Sequence, residues 1–335
     1  LAQVANEQPE LVREFIDGGG SLPEDDAFAH VARAFYSLGL FVHVPAGVEL
    51  ERPIVLRWSA GAPGFGLISR TIVTLGANAH ASIYEEQIAS DEAATKAGAR
   101  ADSIWWGTTE VELGDGATLD FSAEQDFGPA TAAFVARQAK VGRDATMNWA
   151  VASVGSRLYR SRLENLMVGR GANVSQVEIG FGDGSQLFDL TSYTRHLAED
   201  GTSDLLSKGV YTDKARGYIK GLIDIPYEGR GTDSFLGEFS MILERTARSV
   251  TIPSLEIDQP DCRRAMHSSS VGPIDETQVF YLMSRGLSED QARKAIVMGF
   301  LDPVVARIPL PEAQERLRRR LERKWPETAK APAVA

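Results

Sequence analysis

Leu75-Gly76-Ala77-Asn78-Ala79, Leu113-Gly114-Asp115-Gly116-Ala117, Val141-Gly142-Arg143-Asp144-Ala145 and Val168-Gly169-Arg170-Gly171-Ala172 are copies of one pattern. Each is an aliphatic residue, a glycine, two turn-type residues and an alanine, after which a new extended segment begins. The aliphatic ends a strand against the core, and Gly, Asn and Asp tolerate the positive φ of a tight turn. The alanine is small enough for a crowded inside corner. Counted from Gly76, the copies fall 38, 28 and 27 residues apart, room for two short strands per unit with variable loops. Looser echoes stand at Thr212-Asp213-Lys214-Ala215-Arg216 and Glu244-Arg245-Thr246-Ala247-Arg248. A corner recurring at this period predicts a solenoid, most simply a β-helix whose rungs stack into a continuous core. An ordinary antiparallel sandwich is the competing arrangement.

Working outward, short alternating segments fill the chain from about Phe65 to Ile257 without a helical period: Arg70–Leu75, Thr109–Leu113 and Asn173–Ile179 read as strands. Leu40–Pro45 and Ile54–Leu56 read as two earlier ones. Before them, Leu11, Val12, Phe15 and Ile16 have helical spacing, closed by Gly18-Gly19-Gly20. A second helix is capped by Asp25 or Asp26, carries Phe28, Val31, Phe35 and Leu38 as a stripe, and stops at Gly39. Helical signals return after Pro260. Asp275-Glu276 opens one helix that ends at Gly286, and Ser288 with Gln291 forms a near capping box for the next. Leu317, Leu321 and Trp325 mark a last helix at i, i+4, i+8, and the tail from Thr328 to Ala333 is expected to fray. The reading is a mainly β chain: residues 1–40 an N-terminal helical region, 41–258 a β-helix core, 259–335 a C-terminal helical region.

Composition narrows the function classes. The 335 residues carry a net charge of -11, which argues against a nucleic-acid partner, since that needs a basic face. Basic residues gather only in Arg316–Lys324, read as a solvated helix face. No apolar run is long enough to insert in a membrane, and the opening residues lack a signal-peptide pattern. The single cysteine, Cys262, excludes an intramolecular disulfide framework and an all-thiolate metal cage, and fits a reducing, cytoplasmic compartment.

A search for catalytic motifs returns no phosphate-binding loop, nucleophile elbow or His-Glu-x-x-His. Gly180-Phe181-Gly182-Asp183-Gly184 reads as a turn between strands. His30, His43, His80 and His196 read as surface or satisfied interior residues. His267 differs, because Met266-His267-Ser268-Ser269-Ser270-Val271-Gly272 is a small polar run between the last strand and the returning helices. Its imidazole is accessible there, able to bind iron or move a proton. Asp183, Asp189, Asp200, Asp204, Asp213 and Asp224 supply the material for a carboxylate pair, so a β-helical carbohydrate-active enzyme is the alternative.

Ile252-Pro253-Ser254-Leu255-Glu256-Ile257, then His267 to Gly272, Ile274-Asp275-Glu276 and Phe280-Tyr281-Leu282-Met283-Ser284-Arg285-Gly286 resemble the C-terminal signature of the SufB/SufD family of iron–sulfur cluster assembly proteins. Ala27-Phe28, Phe41 to Val48 and Pro53-Ile54 are similar to its N-terminal entry, and Gly231 to Phe235 loosely matches a further block. The resemblance spans about residues 25 to 305.

The resemblance implies a right-handed parallel β-helix flanked by N- and C-terminal helices, without catalytic activity of its own. It implies pairing with a SufB-like subunit through the β-helices and binding of a SufC-like ATPase through residues 274 to 300. Within that span, Phe280, Tyr281, Leu282, Arg285, Ile296 and Phe300 are the expected contact residues. His267 takes the position of the family's functional histidine, near an interface where iron or an iron–sulfur cluster is held in passing rather than tightly bound. SufB needs cysteines in its core, and this chain has none there, so the resemblance is to SufD. Cys262, five residues before His267 rather than two, is a secondary ligand candidate. A homodimer acting without a separate SufB is the alternative within the family.

Overall fold

The computed structural model describes residues 1–17, 22–60, 64–89, 103–308 and 310–325. Sixteen strands follow one another from β1 (Leu38–Val44) to β16 (Arg264–Pro273). Odd strands form one parallel sheet in the order β1-β3-β5-β7-β9-β11-β13-β15, and even strands a second running from β2 to β16. Consecutive strands therefore alternate between two facing sheets, and each pair closes one rung of an eight-rung parallel β-solenoid. The predicted β-helix is the observed fold.

The four quoted corners all lie on the edge where an odd strand hands over to an even one: after β3 (Gly66–Leu75), β5 (Ser103–Leu113), β7 (Thr131–Val141) and β9 (Leu158–Met167). The looser echoes at Thr212 and Glu244 lie on the opposite edge, after β12 (Thr202–Tyr211) and β14 (Asp233–Ile242). Gly180 to Gly184 is the end of β10 (Asn173–Gly182) and the turn that follows, as read from sequence. In each first-edge corner the alanine N–H donates to the glycine carbonyl, as in Ala79 to Gly76 at 3.1 Å. The residue before the alanine has positive φ: Asn78 55°, Gly116 68°, Asp144 53°, Gly171 70°. That is the third position of a turn, where only Gly, Asn and Asp sit cheaply.

These positive-φ residues stack from rung to rung, and their N–H groups bond the next corner. Gly47 donates to Ala77, Asn78 to Asp115, Gly116 to Arg143, Asp144 to Arg170, Gly171 to Glu199, Asp200 to Arg230 and Gly231 to Asp261, all at 2.7–2.9 Å. The corners thus carry the sheet hydrogen-bonding ladder around the bend, and few backbone groups are left unsatisfied. Crowding is severe. A Cβ on Gly169 would stand 1.9 Å from the Arg143 backbone nitrogen, and one on Gly171 would stand 2.4 Å from Asp144 Oδ1.

Inward-facing residues fall into three layers. Along the first edge, Val44, Leu75, Leu113, Val141 and Met167 pair in register and are all buried. Along the second edge lie aromatic rings, with Trp105 5.2 Å from Phe127, and Phe188 6.3 Å from both Tyr159 and Tyr211. Between them runs a polar layer. Glu85 accepts from Trp58 Nε1 at 3.0 Å, Gln87 Nε2 at 2.9 Å and Arg137 at 2.6 Å. Burial pushes Glu178 up to about 7 against the pull of Arg137 and Ser161, and Glu238 up to about 8.

Helices cover parts of both sheets. On the odd sheet, α3 (Ala27–Phe35) is capped by Asp26, which accepts from the Phe28 N–H at 3.0 Å. Phe28 stacks on Phe134 at 4.8 Å, and Asp26 also pairs with Arg160 at 2.9 Å. The helix ends at Phe35, earlier than the predicted Gly39, because Leu38 already pairs with Ser69 in the sheet. Phe35 is accordingly 68% exposed rather than part of the packed stripe. Ahead of α3 the described residues form short helical pieces, α1 (Ala2–Glu7), a 3-10 turn (Pro9–Leu11) and α2 (Arg13–Ile16), with Val12 and Phe15 buried. The predicted stop at Gly18–Gly20 and the tail from Thr328 lie outside the described residues.

On the even sheet, α5 (Glu289–Val305) and α6 (Pro311–Lys324) bury Val297, Leu301, Leu317, Leu321 and Trp325 against Tyr84, Val177, Ile179 and Phe181. Strands there are buried on both faces, which hides their alternation. Arg316, Arg320 and Lys324 form a second stripe beside the apolar one, and it is not the solvated face expected from sequence. Arg320 pairs with Glu124 at 2.7 Å and Asp126 at 3.2 Å, and Arg316 with Glu86 at 3.2 Å. Lys324 donates to the Phe181 carbonyl and to Gln186 at 2.7 Å. Glu86 and Glu124 are register neighbours on adjacent rungs, so these cations offset stacked carboxylates. No described helix is long and apolar enough to cross a membrane.

Gly169→Ala is expected to cost about 3 kcal/mol in urea unfolding, because backbone rather than a movable side chain opposes the added carbon. Gly272→Ala, with nothing within 4 Å of its Cβ, is the near-neutral control. The buried glutamates set a pH dependence. Their folded pKa values lie above the ordinary 4.5, so the native state holds extra protons. Their stabilising contribution is complete below that value and is lost as pH rises through about 7 to 8. Melting temperature should fall over that window, and Glu238→Gln should flatten the fall; equal slopes would contradict the assignment.

Candidate functional site

The last rung is built differently from the others. Among the described residues, β15 (Arg248–Ile257) pairs only with β13 (Arg216–Ile225), and β16 only with β14, so both present an unpaired backbone edge. His267 lies within β16, in register with buried Leu236, and Ser269 is in register with buried Glu238. Both belong to inward-facing columns, yet both are exposed, because the stack ends there. From sequence this run is expected between the last strand and the returning helices, within the C-terminal helical region of residues 259–335. The strands instead continue past residue 258 to Pro273. Three consecutive serines carry no apolar alternation, since no further rung covers them.

The final rung also exposes apolar residues, Val250 44% and Ile252 49% on β15, and Met266 50% and Val271 42% on β16. Cys262 is a half-buried free thiol in the corner between β15 and β16. Its neighbours are engaged elsewhere: Asp261 pairs with Arg230 at 2.8 Å, and Arg263 with Asp200 at 2.6 Å. Among the described residues, no three His, Cys, Asp or Glu side chains gather as a metal site. Alone, this surface offers one imidazole, as a single ligand or a proton acceptor. Iron or a cluster held there would need further ligands from a second chain.

The C-terminal helices begin with α4 (Glu276–Ser284), capped by Asp275, which accepts from the Thr277 N–H at 2.8 Å. The predicted capping box opens α5: Gln291 N–H donates to Ser288 Oγ at 3.2 Å and Gln291 Oε1 accepts from Ser288 N–H at 2.9 Å. The six expected contact residues divide. Phe280 is 71% and Tyr281 55% exposed, and Arg285 lies over the Tyr281 ring at 5.2 Å. Met283 and Leu287 extend this exposed group. Leu282, Ile296 and Phe300 instead turn into the cluster under the even sheet, and Lys208 donates to the Phe300 carbonyl at 2.9 Å.

The other histidines have local partners. His30 meets the Glu24 carbonyl at 2.7 Å, His43 meets Thr74 at 2.8 Å, and His80 lies 3.4 Å from Asp120. His196 sits in the first-edge column after Met167, bonded to Ser203 Oγ at 3.0 Å, and burial lowers it to about 4. Of the candidate carboxylates, Asp189, Asp200 and Asp224 are each paired with a cation: Lys220, Arg170 and Arg195. Asp183 lies 3.5 Å from Lys324, and Asp213 accepts from the Gly184 N–H at 2.8 Å.

Fold and site together define a parallel β-solenoid protein with an open final rung that carries an accessible imidazole, and a helical C-terminal region. The profile described as "SUF system FeS cluster assembly, SufBD core domain" matches residues 58–300. The chain belongs to that SufBD family of iron–sulfur cluster assembly proteins. It is 27% identical over 310 residues to an iron–sulfur cluster assembly SufBD family protein of Staphylococcus epidermidis, covering 92% of this chain and 64% of the relative. It is also 27% identical over 293 residues to the iron–sulfur cluster assembly protein SufB of Bacillus subtilis, covering 88% and 61% respectively. The chain thus spans less than two thirds of the length of these relatives.

Helix α4 gives a direct test of which face is free. Val279→Ala, at a site 2% exposed, should lower stability by about 2 kcal/mol. Phe280→Ser should stay within about 0.5 kcal/mol of the parent in the same urea titration.

Proposed function

We propose that the chain is the SufD-like subunit of a SufBCD-type complex, a non-catalytic scaffold for iron–sulfur cluster assembly in the cytoplasm. The observation that carries this reading is the open final rung, with accessible His267 on a chain whose strands hold no cysteine. An open rung with free β15 and β16 edges suits pairing with the β-helix of a SufB-like partner by strand addition. The partner would bring the sulfur-accepting thiols, and His267 would supply an imidazole to the nascent cluster at the shared surface. The exposed Phe280, Tyr281, Met283 and Leu287 suit docking of a SufC-like ATPase, which would hydrolyse ATP and strain the joint between helices and solenoid. Iron or cluster is cargo in this scheme, and no cofactor is held tightly by this chain.

Anaerobic co-purification with candidate SufB- and SufC-like proteins tests the assignment. Recovery of both partners is the expected result; recovery of this chain as a self-pair with the ATPase alone would favour the homodimeric arrangement. Loss of the ATPase would sink both. In the reconstituted complex, His267→Ala should lower the yield of cluster, read by its visible absorbance, while all subunits still co-elute. Undiminished cluster formation would remove His267 from the mechanism.

A further inference from the structure

A groove of about 1010 Å³ runs between α6, Lys294 of α5 and the second-edge corners at Asp183-Gly184 and Thr212-Asp213. Six cations line it, Lys294, Arg316, Arg319, Arg320, Arg323 and Lys324, against three carboxylates, Asp183, Asp213 and Glu322. Glu86, Glu124 and Asp126 beneath Arg316 and Arg320 bring the balance to six cations and six carboxylates, so the charge open to a ligand is that of the outer cations, not of the floor. The two sets of cations differ in role. Arg316, Arg320 and Lys324 are fixed from below by Glu86, Glu124, Asp126 and backbone carbonyls, which makes the floor rigid. Arg319 has only a loose 3.9 Å contact with Glu315, both side chains being more than half exposed. Such a pair holds little charge back from a ligand.

Arg316 lies over the Tyr84 ring at 5.4 Å with its guanidinium reaching Glu86, so it belongs to the fixed floor of the groove. Guanidinium forks suit the oxygens of phosphate groups. The shape favours a small ligand over an acidic protein: the cations converge on a concavity at the upper end of ligand-site volumes, not on a flat face of interface size.

We propose that this groove binds a phosphate-bearing small molecule, its di- or triphosphate held by Lys294, Arg319 and Arg323 above the floor formed by Arg316 and Arg320. The site lies on the helical side of the even sheet and is independent of the SufD reading of the open rung.

Isothermal titration of the full chain with sodium pyrophosphate, ATP and adenosine provides the test. Pyrophosphate and ATP should each bind saturably at one site per chain, and adenosine should not. The variant K294A/R319A/R323A should bind pyrophosphate about tenfold more weakly or worse. No saturable binding, unchanged affinity in the triple variant, or adenosine binding as tightly as ATP would each overturn the proposal. Footprinting of the unaltered chain with phenylglyoxal keeps the test open should the variant misfold. Pyrophosphate should slow modification of Arg319 and Arg323 but not of Arg318, which pairs with Asp302 at 3.3 Å outside the groove. Equal rates with and without pyrophosphate would refute the site.

Discussion

Rung-on-rung hydrogen bonding at the first edge is the interaction on which the rest of the molecule depends. A parallel sheet alone could end each strand in a free loop, and neighbouring rungs would then be tied only along their flat faces. Here the corner residues themselves donate to the next corner, so the bend is as continuous as the strands. That continuity fixes register, because a one-residue slip would exchange inward and outward faces along every strand. Fixed register in turn aligns the aliphatic, polar and aromatic layers and brings Glu86 beside Glu124 for the α6 cations.

Coverage of the solenoid is uneven, and that unevenness locates its surfaces. The even sheet is sealed by α5 and α6 through an apolar seam with an ionic seam beside it. Earlier strands of the odd sheet lie under α3 and the segment before it. Among the described residues, the final rung has no further rung over it. An inward-facing histidine is therefore exposed at this end, whereas His196, in another inward column two rungs earlier, is kept neutral by burial. Position in the stack, more than residue type, decides what each imidazole can do.

Much of this was legible in the sequence, because a solenoid writes its corners as a repeat. The Gly-x-x-Ala copies predicted the fold, and the capping residues Asp26, Asp275 and Ser288 marked the helix starts. What escaped has physical reasons. The corner from His196 to Gly201 was not recognised because bulk is exchanged between its ends: histidine replaces the aliphatic and glycine replaces the alanine. A Cβ on Gly201 would stand 2.8 Å from His196 Nδ1, so the two changes compensate in space while erasing the pattern. β16 was missed since its inward face needs no apolar residues at the end of the stack. The ionic stripe of α6 was taken for a solvated face because its carboxylate partners lie some two hundred residues away in sequence, as with Arg320 and Glu124, 196 residues apart. Of the six expected contact residues on the C-terminal helices, those one turn apart along a helix could not be sorted into buried and free without knowing where the sheet lay.

The corner column alternates strictly: Gly47, Asn78, Gly116, Asp144, Gly171, Asp200, Gly231. Asn78, Asp144 and Asp200 each lean a side-chain oxygen onto the glycine of the following rung, at 2.3–2.6 Å from where a Cβ would be. Two Asx residues in succession would need the first side chain to swing aside, and two glycines would leave the place of its oxygen empty. The solenoid therefore has a hidden parity. Excision or duplication of a single rung joins like to like at the bend, whereas two rungs removed or added together restore the alternation. A change of two rungs thus leaves this column as it is, whereas a change of one asks a turn side chain to move.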